Sequence, residues 1–391
     1  CCARGVRPRP GGVSIWMTNH VDEPRSASVT SEALGAQEVA ISLRSDGPAI
    51  GLPLTQKREI YFAEGANLPE VLGRLRAGVF VDRPQQRCRL AIVSTPGHLS
   101  QRVNEAIGLL EQGRTFSDGI YYREDEIEGE LAFVFTGSGA AYPGMGGGLV
   151  GHVPDLATRL AKKLDVDPHF ASQAAWVYER NAPELAEEAE SQIWATSWLS
   201  QMHALLSQDV LELAPTAAIG FSLGESSALF SLGAWNDFGK MIADLPKTKI
   251  FSNELAGDFA AIREEWASAG HIDAATGQAD VWENWSLFGD IDKVRAVVES
   301  EDLCHVTILN TDDECVISGS PEACERVLTQ LLNDTKVQTT PLAQKLAVHA
   351  PEVARVADAY RALHTRPTDP VEGIRFYSNA TNTHYSPTPE T

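Results

Sequence analysis

Near the middle of the chain, Pro215-Thr-Ala-Ala-Ile-Gly-Phe-Ser-Leu-Gly-Glu-Ser-Ser-Ala-Leu-Phe230 leaves few local folds open. Ala217, Ala218 and Ile219 form a short apolar run suited to a buried strand, whereas Ala228, Leu229 and Leu232 recur at helical spacing. Ser222 therefore falls on a sharp strand-to-helix bend between Gly220 and Gly224. Glycine at both positions removes the side chains that would clash where strand and helix meet, and it exposes the serine hydroxyl at a helix N-terminus. There the backbone N–H of Leu223 and the helix dipole can stabilise an oxyanion. Gly-x-Ser-x-Gly also arises by chance, as a glycine turn with a solvated serine. The strand and helix patterns on its two sides favour a nucleophile elbow.

Composition narrows the partners. A chain of 391 residues with 43% hydrophobic residues can build two or three cored domains. The 32 basic and 53 acidic residues give a net charge of −21, which argues against a nucleic-acid footprint and against attraction to an anionic membrane surface. No stretch of about 18 apolar residues predicts a transmembrane helix. No signal peptide is expected either, because Arg4, Arg7 and Arg9 precede prolines and glycines, not an apolar segment. Cysteines 1, 2, 88, 304, 315 and 324 show no CxxC or zinc spacing, so reduced thiols in a cytoplasmic protein, and no metal, are expected.

Along the chain, residues 1–55 are rich in Arg, Pro, Gly and Ser and predict a poorly ordered lead-in. Residues 56–128 predict a small α+β domain: strands over 59–63, 88–94 and 119–122, and helices over 68–79 and 99–110. Within it His98 precedes a helix and reads as a surface or capping residue. Residues 151–213 are mostly helical, with Ile193, Trp194, Ser197, Trp198, Gln201 and Leu205 on one stripe. From 281 to 343 a strand-helix-strand-strand-helix-strand order predicts a ferredoxin-like unit, with Cys324 in its core.

Two further segments carry chemistry. Strand 131–135 runs into Thr136-Gly-Ser-Gly-Ala-Ala-Tyr-Pro-Gly-Met-Gly146, a turn whose free N–H groups suit an oxyanion hole or a phosphate. It lacks the Gly-Lys-Ser/Thr of a P-loop, and its glycines do not form a clean GxGxxG. An ordinary flexible loop is the alternative. His349, in Lys345-Leu-Ala-Val-His-Ala-Pro-Glu-Val353, is either a structural histidine before a helix or the base that a serine nucleophile needs at neutral pH.

These segments, in this order, resemble the acyltransferase domain of polyketide and fatty-acid synthases over roughly residues 130–385. Phe135-Thr-Gly-Ser-Gly-Ala-Ala-Tyr-Pro-Gly-Met-Gly146 resembles the family's Phe-Pro-Gly-Gln-Gly loop, and Gly220-Phe-Ser-Leu-Gly-Glu225 its Gly-His-Ser-x-Gly-Glu elbow. Asn310-Thr-Asp-Asp-Glu-Cys-Val-Ile-Ser-Gly319 is similar to the hairpin of its small subdomain. Leu346-Ala-Val-His349 takes the place of its specificity motif, which ends in the base, and Tyr377-Ser-Asn-Ala-Thr381 resembles the strand that follows. Thr136, Ser138, Ala141 and Phe221 depart from the family pattern; with Trp235 and the 250–280 stretch they make the chain most similar to the iterative synthases of enediynes and long polyunsaturated chains.

The resemblance implies an α/β fold: an α/β-hydrolase-like large subdomain with a parallel sheet (129–280 and 344–391), an inserted ferredoxin-like small subdomain (281–343) and a preceding α+β linker domain. The family continues past this region into another strand and helix, so a C-terminally incomplete domain is expected. Ser222 and His349 would be catalytic, with the N–H groups of Leu223 and Ser138 as oxyanion hole. Substrate contacts would come from Lys247, Phe221, Val348, Leu346 and Asn310, with Lys247 replacing the family's carboxylate-binding arginine. Malonyl-CoA would be the donor and the phosphopantetheine thiol of an acyl-carrier protein the acceptor. No tightly bound cofactor is implied, and a ketosynthase would be the neighbouring domain. A serine acyl hydrolase and a catalytically idle docking domain fit the same residues.

Overall fold

The structure is a computed structural model that describes residues 25–31, 39–45, 59–153, 156–166, 188–271, 281–334 and 337–389. It divides into two units, residues 1–128 and 129–391. Within the expected lead-in, Arg25–Ser31 (β1) and Val39–Ser45 (β2) pair as an antiparallel hairpin, and the rest of residues 1–55 lies outside the described residues. The physical reason for the hairpin is local: Ser-Val-Thr in one arm and Val-Ala-Ile in the other carry the β-branched residues that favour an extended backbone.

The rest of the first unit follows its hydrophobic pattern. Glu59–Gly65 (β3), Cys88–Ser94 (β4), Phe116–Ser117 (β5) and Ile120–Arg123 (β6) form an antiparallel sheet in the order β3-β4-β6-β5. Every second residue of β4 is buried, as a strand with one face on a core requires. Leu68–Ala77 (α1) and Leu99–Glu111 (α2) cover that face, and Val71, Leu75, Leu90, Ile92 and Ile120 make the core. Asn67 caps α1 by accepting from the Glu70 N–H, and Gly78, at φ 64°, ends it two residues earlier than the pattern predicts.

In the second unit Ala132–Phe135 (β7), Ala217–Gly220 (β8) and Arg375–Ser378 (β13) lie parallel, with Thr383–Tyr385 (β14) antiparallel at one edge, in the order β14-β13-β8-β7. Gly147–His152 (α3), Leu156–Lys163 (α4) and Ala189–Leu205 (α5) connect β7 to β8 in the described residues. α5 is not a one-faced helix as the stripe suggests. Besides Trp198 and Gln201, it also buries Gln192, Ala195, Thr196 and Met202, because it lies at the centre of the large core.

Leu223–Ser231 (α6), Phe238–Thr248 (α7) and Ala260–Ser268 (α8) then lead to the inserted subdomain. There Glu283–Phe288 (β9), Ile291–Val298 (α9), Cys304–Leu309 (β10), Glu314–Gly319 (β11), Pro321–Asp334 (α10) and Gln338–Pro341 (β12) follow in turn. Every strand pair is antiparallel and the order is β10-β11-β9-β12, the ferredoxin-like arrangement. Its own core holds Leu287, Val294, Ile317, Val327 and Leu331, with Cys324 fully buried among them. Trp282 at the entrance stacks on Trp266 of α8, ring centroids 6.2 Å apart, which roots the insertion in the large core. The chain returns through residues 342–349 to Ala357–His364 (α11) and then β13. Among the described residues no helix is long and apolar enough to cross a membrane.

Candidate active site

The site is made where β7 and β8 end. Phe135 lies in register with Gly220, and the Phe221 N–H donates to the Phe135 carbonyl at 2.9 Å, so the glycine loop and the elbow leave the sheet side by side. Both elbow glycines are sterically required. A Cβ on Gly220 would overlap the Gly224 backbone, and one on Gly224 would overlap the Phe135 carbonyl. Ser222 between them adopts φ 52°, ψ −117°, outside the regions that residues with a side chain ordinarily occupy. It is the residue before α6, so the Leu223 N–H begins that helix with no intrahelical acceptor.

His349, also at positive φ, 60°, comes from the far side of the inserted subdomain. Its Nε2 lies 2.9 Å from Ser222 Oγ, the distance of a hydrogen bond from a serine to its base. Packing around the ring removes water that would solvate imidazolium, so burial lowers its pKa, while the charge of Glu225 opposes the shift. The neutral, proton-accepting form is therefore favoured. Glu225 in the first turn of α6 has a structural task as well: its Oε1 accepts from the Asn379 N–H at 2.6 Å and from Asn379 Nδ2 at 2.8 Å. The same amide donates to the Gly220 carbonyl at 2.6 Å, which clamps the elbow to the β13–β14 turn.

Ser138, buried at 7% exposure, opens a single 3-10 turn, Ser138–Ala140, just beyond β7. Gly137 lets this loop lie against the elbow, since a Cβ there would come within 2.9 Å of the Phe221 ring. Three residues past His349, the buried carboxylate of Glu352 accepts at 3.0 Å from Trp266 Nε1 on α8. The same Oε1 lies 3.0 Å from His305 Nε2 on β10, so Glu352 ties the segment that carries His349 to both subdomains. Burial works against ionisation of Glu352, yet the bonds to His305 and Trp266 hold its pKa below the usual value. A cleft of about 650 Å³, lined among others by Arg295, Val298, Cys304, His305 and Pro351, reaches His349.

No family model matches the chain. Over 315 residues, 76% of this chain, it is 28% identical to a polyunsaturated fatty acid synthase polypeptide of Thraustochytrium sp., and it spans 15% of that protein's length. The acyltransferase domain from module 8 of the salinomycin polyketide synthase superposes with a TM-score of 0.61 at 18% identity, over 85% of this chain and 77% of that one. The complex of a type II polyketide synthase acyl-carrier protein with its malonyl-transacylase gives a TM-score of 0.51 at 19% identity, over 67% and 78% of the two chains. The fold is that of a polyketide synthase acyltransferase domain.

Within this acyltransferase fold the remaining sequence-predicted residues separate. Phe221 is 42% exposed beside the serine. Val348 packs half-buried against the large core, and Leu346 is buried in it, so that leucine acts by packing and not as an open pocket wall. Asn310 sits at the exposed tip of the β10–β11 hairpin, its N–H bonded to the Glu314 carbonyl. The Lys247 ammonium binds Asp244 Oδ1 at 3.0 Å on the same helix, with 70% of the side chain exposed. The i,i+3 spacing of Asp244 and Lys247 on α7 is the sequence signal for that pairing. Asn379 is missed by sequence reasoning because an asparagine in a turn carries no signal of its long-range partners.

Proposed function

We propose that this chain is an acyltransferase that moves a malonyl unit from coenzyme A to the phosphopantetheine thiol of an acyl-carrier protein. The 2.9 Å contact between Ser222 Oγ and His349 Nε2 at the strained elbow carries the reading. His349 takes the proton of Ser222 as the oxygen attacks the thioester carbonyl, and the N–H groups of Leu223 and Ser138 receive the developing oxyanion. The carbon–sulfur bond breaks, and coenzyme A leaves as the thiol with the proton from His349. An acyl ester on Ser222 remains. The carrier thiol then gives its proton to His349 and attacks that ester; the carbon–oxygen bond breaks and the proton returns to Ser222.

The fold shared with acyltransferase domains supports this class of reaction, and the carrier protein seen with one structural relative supports the acceptor. Malonyl is favoured over methylmalonyl because Val348 is bulkier than the serine found at that motif position in methylmalonyl-type sites. One methyl changes binding by about 1–3 kcal/mol, so the preference is a matter of degree. That this chain spans 15% of a polyunsaturated fatty acid synthase polypeptide supports a multidomain setting, and iterative use, a ketosynthase as neighbouring domain and a cytoplasmic location belong to the same proposal. The test is incubation with radiolabelled malonyl-CoA and a carrier protein. Label is expected on Ser222 and then on the carrier; release of free malonate alone would make the chain a hydrolase, and no adduct at all an idle docking domain.

A further inference from the structure

Ser138 and His349 must both be fixed relative to Ser222, yet they come from distant segments, one after β7 and the other after β12. The loop bearing Ser138 has little hold of its own: it is one 3-10 turn in a segment with glycines at 137, 139, 144 and 146–148. Its hydroxyl nevertheless has a fixed partner. Gln344 Nε2 donates to Ser138 Oγ at 2.8 Å, across 206 residues of sequence. Gln344 Oε1 sits against Gly139, where a Cβ would come within 3.2 Å of it.

Gln344 is itself held from the other side. Its main-chain carbonyl accepts from Asn284 Nδ2 at 2.6 Å, and Asn284 Oδ1 accepts from the buried Trp282 Nε1 at 3.1 Å. The Asn284 carbonyl accepts from the Leu342 N–H at 2.9 Å. One connected set of bonds thus joins the chain entering the inserted subdomain, the chain leaving it five residues before His349, and the loop that carries the Ser138 N–H.

We propose that Gln344 is a positioning residue for the chemistry at Ser222. By gripping Ser138 Oγ from the segment that bears His349, it keeps the Ser138 N–H aimed at the oxyanion while the base is aimed at the nucleophile. The inference rests on the oxyanion role given to Ser138 above. A donor that is displaced loses part of the roughly 10²–10³-fold that a whole oxyanion-hole donor supplies. That loss falls on the bond-making step, because the Gln344 side chain is directed at Ser138 and not at the substrate.

The test uses the full chain and reads Ser222 by two routes: acylation by malonyl-CoA in single turnover, and phosphonylation by a fluorophosphonate, whose phosphoryl oxygen also needs the oxyanion hole when fluoride is displaced. Gln344→Leu and Ser138→Ala are each expected to lower the maximal rate about 10-fold, with half-saturating reagent changed less than about twofold and thermal stability near wild type. Ser138→Ala keeps the backbone N–H and serves as the readout even if Gln344→Leu folds poorly. The double variant should be no slower than either single variant, because both remove the same bond. Multiplied losses near 100-fold, a change in half-saturation alone, or no change would overturn the proposal. A wild type that reacts with the fluorophosphonate but not with malonyl-CoA would sink the acyl-transfer reading while leaving Gln344 measured. A wild-type Ser222 inert to both would overturn the two together.

Discussion

At the scale of single residues, the proposed transfer depends on the Ser222 hydroxyl and the His349 imidazole, two residues at positive φ. Ser222→Ala is expected to abolish the malonyl mass adduct, read by intact-mass analysis. His349→Ala should slow its formation by about 10³-fold or more, since the serine loses its base. The direction of the His349 pKa sets the pH dependence. A base works only when unprotonated, and burial lowers this one from the ordinary 6.5, so the acid limb of the acylation rate should have its midpoint below 6.5. Glu225 raises that pKa, so Glu225→Gln, which can still accept from Asn379, should move the limb to lower pH. A limb at or above 6.5, or a shift in the opposite direction, would contradict this account.

At the scale of elements, the strand β8, the elbow and the helix α6 act as one rigid piece braced by its neighbours. Gly224→Ala would push a methyl group into the Phe135 carbonyl, and β7 cannot withdraw without breaking its pairing with β8. A loss of about 3 kcal/mol or more is expected, measured by chemical denaturation. The brace on the opposite edge is weaker. Asn379→Ala removes donors from Glu225 Oε1 and the Gly220 carbonyl and should cost about 1–3 kcal/mol. If Asn379→Ala leaves both stability and acylation unchanged, the clamp has no function.

At the scale of the whole molecule, the described residues form three hydrophobic clusters, one in the first unit, one in the inserted subdomain and one in the large subdomain, the last also taking Val281 and Trp282 from the entrance of the insertion. Leu75→Ala in the first unit and Leu331→Ala in the inserted subdomain should each cost about 2–5 kcal/mol and add when combined, because they belong to different hydrophobic clusters. The described thiols Cys88, Cys304, Cys315 and Cys324 are all buried, and burial pushes Cys315 up to about 11. Cys88, Cys315 and Cys324, which do not line the cleft beside His349, should therefore react with a disulfide reagent only on unfolding, a rate that thiol titration against denaturant would read. Much of this organisation is legible in the sequence. Periodicity locates β3, β4, α2 and β7 to within a residue or two, and the elbow and the strand order of the insertion are readable because glycine spacing and hydrophobic repeats are local properties. The hairpin β1–β2 is not, because polar and proline-rich surroundings mask two short β-branched runs. Local pattern also proposes Ser222 and His349 as separate candidates and assigns Lys247 to the substrate by spacing. Only the tertiary structure decided the rest. It brought His349 to Ser222 across the inserted subdomain, turned Lys247 to Asp244, and put Asn379 and Gln344 on the elbow and the loop. Hydrogen bonds between distant segments depend on how cores pack, and no short window of sequence encodes that.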